Sequence, residues 1–153
     1  VYSGALLAQK DENKIMAELQ SAGLSMELLV AEPLPIEDFY RAHEPKVLKE
    51  VLRLNETSWV SDQAALAGAI YLGGQQALDG RRSCALVPAQ HSRAEYNLNG
   101  LAPQPLNVLM SSLLRLVDER GLKRVAIIDS HGQVQGGVND ILQNVKQNLC
   151  SLI

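Results

Sequence analysis

The chain has 153 residues, a formal net charge of −3, 46% hydrophobic residues and 20% charged residues. This composition supports a packed core and excludes general disorder. With only four Tyr, one Trp and one Phe, the mildly acidic chain lacks the features of nucleic-acid or anionic-membrane binding proteins, and we expect neither partner.

The two cysteines, Cys84 and Cys150, lie far apart in apolar stretches and form no Cys-x-x-Cys pair. This pattern predicts reduced thiols and a cytoplasmic location. No apolar run approaches the roughly 20 residues of a membrane span. Because position 1 is Val, we expect the single domain, 1–153, to be part of a larger polypeptide.

The first third of the chain predicts a strand–helix–strand unit. Runs 1–8 and 26–31 are apolar and of strand length, and the intervening residues 11–22 show helical spacing with Gly23 as a C-cap. A proline-rich stretch at 31–54 follows, in which each proline punctuates a short helix.

The middle of the chain predicts one long helix and one strand. Asp62 is the expected N-cap of a helix over 63–79 that ends at Gly80, and 83–87 is a short buried strand. Residues 88–104 form a long polar loop, a length typical of functional or mobile segments.

The last third predicts a helix from Pro105 to Gly121, a central parallel strand at 124–129, a Gly-rich turn and a helix over 138–147. Alternation of strands and helices predicts an α/β fold, three layers (α/β/α) around a mostly parallel open sheet. Ligands of such sheets bind at the carboxyl ends of the strands.

The loops after the two later strands hold the candidate site residues, His91 and the pair Asp129 and His131. In extended backbone Ser130 points away from its neighbours, so the three residues 129–131 do not form a triad. Asp129 and His131 either pair structurally or, with His91, form a three-ligand metal site. We expect His43 to be a partly buried structural histidine.

Gly132, Gly136 and Gly137 follow the strand at 124–129 and precede a helix. Such a turn can cradle an anion or nucleotide phosphate over 132–138. The spacing matches neither common nucleotide motif and the turn has no Lys, so the glycines are better explained by the needs of a tight strand-to-helix turn.

Four segments, in order, resemble the zinc-dependent histone deacetylase family of the arginase/deacetylase superfamily. The last is the most specific, because its helix, strand, Gly-rich loop and "NDIL" keep the family's register. The segments are "EDFYRAHEPKVLKEVLRL" (37–54), "SDQAALAGAIYLGGQQALDG" (61–80), "CALVPAQHSRAE" (84–95) and "PLNVLMSSLLRLVDERGLKRVAIIDSHGQVQGGVNDIL" (105–142). The resemblance implies a truncated arginase/deacetylase-like fold.

The chain departs from the family at the residues that carry its chemistry. Of the family's histidine pair only His91 remains, and Asp129 matches an aspartate that orients a histidine. His131 stands at a zinc-binding aspartate and Gln133 at the zinc-binding histidine, where a neutral amide is a poor ligand. The family's later zinc ligand and transition-state tyrosine have no counterpart in this sequence.

The resemblance therefore implies a catalytically inactive module with a structural or protein-interaction role, without catalytic residues, metal or cofactor. We expect a protein partner, a neighbouring domain or a homodimer to cover the sheet edge left by the family's missing later strands. The alternative is an amide or ester hydrolase that binds zinc through His91, Asp129 and His131, with Gln133 orienting the substrate.

Overall fold

The regular structure of this protein is helical throughout the described residues. The computed structural model describes residues 9–24, 27, 29–54, 57–83, 85, 96, 106–122, 125–127 and 135–145. In chain order its elements are α1 (Gln9–Ser21), a 3-10 helix η1 (Ile36–Arg41), α2 (Pro45–Leu54), α3 (Thr57–Leu78), α4 (Val108–Arg120) and α5 (Gln135–Asn144).

The predicted α/β fold is wrong, because the described ranges contain helices and no strand. The arginase/deacetylase-like sheet implied by the resemblance is wrong for the same reason. The predicted strand 1–8 lies outside the described residues, as do parts of 26–31, 83–87 and 124–129. The described parts of the last three runs have no regular structure.

Residues 29–34 show why an apolar run can look like a strand without forming one. Ala31 and Leu34 are buried while Val30 is 85% exposed. The partner of this segment is a helix, since the Leu34 N–H donates to the Ala64 carbonyl oxygen of α3 at 2.8 Å. A run of this length indicates burial, but it does not specify whether the covering surface is a sheet or a helix.

The helix α3 lies at the centre of the described structure. It carries apolar residues on all sides, as expected of a helix that packs against several segments. It packs against α4 and contributes Leu66 and Ala67 to a core that also contains Phe39 of η1 and Leu48 of α2. The long helix and its Gly80 terminus are confirmed.

The predicted start of α3 is wrong, because α3 begins at Thr57 and Asp62 lies inside it. Trp59 explains the extension, since its partly buried side chain packs against the same core and anchors the extra turn there. Local cap chemistry at Asp62 is outweighed by this tertiary contact.

The ends of α1 and α4 follow the sequence closely. Gly23 and Gly121 adopt left-handed backbone with φ of 75° and 63°, as C-terminal glycines commonly do. The start of α4 is three residues later than Pro105, because Asn107 is its N-cap and accepts a hydrogen bond from the Met110 N–H at 3.0 Å.

The helix α5 packs against α4 through a second core cluster. Its members are Ala42, Met110, Leu114, Val138 and Ile141. None of the described helices is both long enough and apolar enough to cross a membrane.

Candidate functional site

The sequence-predicted site residues His91, Asp129, His131 and Gln133 lie outside the described residues. Cys84 and Cys150 lie outside them as well. Where the structure describes the chain, no group of three His, Cys, Asp or Glu side chains is placed to hold a metal ion. The zinc alternative therefore stays a prediction of the sequence.

The segment 132–138, for which the sequence offers an anion cradle or a simple tight turn, is only partly described. Gly132 lies outside the described residues, whereas Gly136 and Gly137 belong to the first turn of α5, which begins at Gln135. These two glycines are therefore helical, and their assignment to a turn before the helix is wrong.

The sequence predicts a partly buried structural histidine at His43, and the structure buries it more deeply than that. It is completely buried, and its Nε2 accepts the backbone N–H of Asn107 at 2.9 Å. Asn107 is itself the N-cap of α4. We call this contact between His43 and Asn107 the α4 joint, because it fixes the chain after η1 to the start of α4.

Tyr96, which lies in the 88–104 loop, makes two backbone hydrogen bonds near the α4 joint. The Tyr96 N–H donates to the Asp140 carboxylate at 2.7 Å, and the Tyr96 carbonyl accepts the Glu44 N–H at 3.1 Å. Backbone groups of Tyr96 therefore link α5 to the residue that follows His43.

A second polar feature joins η1, α3 and α4. We call it the seam network, and its members are Asp38, Arg41, Tyr71, Arg115, Asp118 and Glu119.

Asp38 binds two guanidinium groups in the seam network. Its two carboxylate oxygens accept from Arg41 Nε at 2.9 Å and from Arg115 Nη1 at 2.8 Å. Arg41 also donates to Asp118. Asp38 is buried, so these charge-assisted bonds provide the compensation that a buried carboxylate requires.

Arg115 connects all three elements. Besides Asp38 of η1, it donates from Nε to Glu119 at 2.8 Å, and its guanidinium carbon lies 4.4 Å from the centre of the Tyr71 ring on α3. Tyr71 donates its hydroxyl proton to Glu119 and accepts from Gln75 Nε2 at 2.8 Å. The arrangement combines ion pairs with a cation–π contact.

These contacts change the pKa values of the groups involved. The hydrogen bond from Tyr71, followed by that from Arg115, lowers the pKa of Glu119. Burial, followed by the hydrogen bond to Glu119, raises the pKa of Tyr71. For Arg115, burial opposes the charge, but Glu119 and Asp38 outweigh it and raise its pKa. At pH 7 the network therefore holds Glu119 as a carboxylate, Tyr71 as a neutral phenol and Arg115 as a cation.

The seam network contains two guanidinium groups and three carboxylates, each engaged with a group of opposite charge. It has no surplus positive charge to attract an anion. Its carboxylates accept hydrogen bonds from the neighbouring guanidinium groups and, at Glu119, also from the Tyr71 hydroxyl. The seam network therefore serves to hold η1, α3 and α4 together.

Sequence reasoning missed the seam network. The local pairs Asp38–Arg41 and Arg115–Glu119 have the i,i+3 and i,i+4 spacing of helical ion pairs and were readable as such. The contact between Arg115 and Asp38 joins residues 77 positions apart, and no local pattern signals it.

Comparison of the sequence with protein-family models and with curated proteins gives no match.

Proposed function

We propose that this chain is a non-catalytic helical module with a structural or protein-interaction role in a larger protein or assembly. The observation that supports the proposal most directly is the seam network, in which ionisable side chains from three elements are paired with one another. The described histidine, His43, is likewise used in packing.

The resemblance to histone deacetylases enters this proposal only through the replaced residues. Gln133 in place of a zinc-binding histidine, and His131 in place of a zinc-binding aspartate, argue against the family's reaction. The proposal requires no deacetylase-like sheet. We place the module in the cytoplasm, on the grounds of its unpatterned cysteines.

The partner that we propose is a protein surface, either a neighbouring domain, a second protein or a second copy of the chain. The net charge of −3 and the few aromatic residues disfavour nucleic acid. Sedimentation velocity over a hundredfold range of concentration separates the second copy from the other two, because only self-association makes the mass depend on concentration.

Hydrolysis assays test the non-catalytic part of the proposal. The chain is incubated with acetyl-lysine peptides and simple esters, with and without added zinc, beside a matched variant in which His91, Asp129 and His131 are replaced by Ala. We expect the two proteins to give the same rate. Zinc-dependent turnover that is lost in the variant would establish the hydrolase alternative instead.

A further inference from the structure

We propose that His43 makes the α4 joint sensitive to mild acid, so that proton uptake by this side chain opens the joint while α3 and α4 stay paired. The inference concerns the fold of the chain and stands independently of the proposed function.

The protonation state of His43 follows from its hydrogen bond. A ring nitrogen that accepts a hydrogen bond from a backbone N–H carries no proton. Nε2 is therefore deprotonated, and the proton of the neutral ring is on Nδ1. Protonation at Nε2 would place two N–H groups against each other inside a fully buried site. The closed joint therefore holds the neutral ring.

Loss of the hydrogen bond between His43 and Asn107 would also disturb the N-cap of α4. The Asn107 N–H would lose its acceptor in a site where Asn107 has no solvent exposure, and a buried unsatisfied donor is unfavourable. Asn107 also caps α4, through its side chain to the Met110 N–H and through its carbonyl to the Ser111 hydroxyl at 2.8 Å. Opening at His43 therefore reaches the first turn of α4.

Charged groups on the surrounding elements do not remove this constraint. They are Glu44 beside His43, Lys46 at the start of α2, Asp140 on α5 and the seam-network residues of η1 and α4. The Asp140 carboxylate accepts from the Tyr96 N–H and from the Asn144 amide, and Arg115 donates to Asp38 and Glu119. A proton enters Nε2 only after the bond to Asn107 breaks, because the Asn107 N–H occupies the lone pair that would take the proton.

Neither α3 nor α4 contains a histidine, and the Tyr71–Glu119 bond between them is unaffected by mild acid because the pKa of Glu119 is lowered. The Ser112 hydroxyl of α4 donates to the Ala67 carbonyl of α3 at 2.7 Å, and Leu116 lies against Gly74. Acid in the range of histidine titration therefore acts on the joint and leaves this pairing in place.

The direction of the pH dependence follows from linkage. The open state takes up a proton below the ordinary histidine pKa of about 6.5, whereas the closed state does not. The open fraction of the joint therefore increases about tenfold for each pH unit below that value.

Hydrogen exchange measured by mass spectrometry, corrected for intrinsic exchange, tests the proposal at pH 7.0, 6.0 and 5.0. We expect peptides over 36–44 and 106–111 to lose protection about tenfold from pH 6.0 to 5.0, while a peptide over 62–70 keeps it. In His43→Gln, whose side-chain oxygen can accept the Asn107 N–H without titrating, joint protection should be independent of pH. Equal pH dependence in both proteins would overturn the proposal.

A second measurement on the unaltered chain keeps the proposal testable if His43→Gln does not fold. The chain has three histidines, so nitrogen NMR signals of labelled histidine can be assigned to His43 with the variants His91→Gln and His131→Gln. We expect a neutral ring protonated on Nδ1 at pH 7, which becomes charged only as the joint amides lose protection. A ring that becomes charged while joint protection is unchanged would contradict the proposal.

Discussion

At the scale of single residues, the glycines of α3 determine how closely other segments can approach this helix. A Cβ at Gly68 would overlap the Glu32 carbonyl oxygen and lie 3.2 Å from the Leu34 nitrogen. A Cβ at Gly74 would meet only the tip of the Leu116 side chain, and one at Gly73 would lie 3.6 Å from the Ala85 Cβ. The same change at these three sites therefore has different consequences.

Gly68→Ala should lower the free energy of unfolding by about 2–3 kcal/mol, because backbone on the 29–34 segment must move. Gly73→Ala is the matched control, and it should raise that free energy by up to about 1 kcal/mol, since the contact is ordinary and alanine favours a helix. Urea denaturation measures both variants.

Gly74→Ala should fall between these two variants, since Leu116 can change rotamer while the helix gains alanine. If Gly68→Ala proved as stable as Gly73→Ala, the close crossing of 29–34 over α3 would be wrong.

At the scale of elements, Arg115 is the side chain that ties η1, α3 and α4 together. Arg115→Met keeps much of the apolar stem and removes the guanidinium, which leaves the buried Asp38 with Arg41 as its remaining seam-network partner. We expect a loss of about 1–3 kcal/mol in the free energy of unfolding by urea denaturation.

Arg53→Met is the matched control for Arg115→Met. Arg53 makes a two-point ion pair with Glu50 at 2.6 and 3.0 Å, but this pair lies on the exposed face of α2. Exposed ion pairs contribute little to stability, so its unfolding midpoint should not change. Similar losses in both variants would show that the seam network is no more than a surface feature.

The seam network also predicts a pH window for stability. The pKa of Glu119 lies below its ordinary value of 4.5, so its contribution is present above that value and is lost as the pH falls through the lower, folded-state pKa. The pKa of Tyr71 lies above its ordinary value of 10.0, so its contribution is present below pH 10 and is lost as the pH rises through the folded-state pKa.

Tyr71→Phe tests this window. The variant has no phenol to titrate, and Glu119 loses the hydrogen bond that most lowers its pKa. Stability measured from pH 3 to 11.5 should therefore decline less steeply at both ends than in the unaltered chain. If stability above pH 10 fell as steeply in the variant as in the unaltered chain, Tyr71 would not contribute as the structure indicates.

At the scale of the whole molecule, sequence reasoning succeeded where the signal was local. The apolar spacing of α4 and the glycine after it identify that helix, because helical period and left-handed C-caps are properties of neighbouring residues. It failed where the outcome depends on distant partners. Residues 29–34 pack against α3 rather than a sheet, and Asp38 meets Arg115 across 77 positions.

At the candidate site, too, local features could be predicted and contacts between distant residues could not. The structural character of His43 was predictable from its place in the short helical segment before Pro45, whereas its acceptor role depends on Asn107, 64 positions away. The resemblance to deacetylases gave site residues that lie outside the described ranges and a sheet that the helices contradict. Short motif likenesses do not fix the fold.

The measurement that tests the central claim most directly is the zinc content of the freshly purified chain, determined by elemental analysis and followed by zinc titration of the chelated protein. A non-catalytic helical module predicts zinc far below one ion per chain and an unfolding midpoint that zinc does not raise. One zinc per chain, lost in His131→Ala and accompanied by a raised midpoint, would contradict the account.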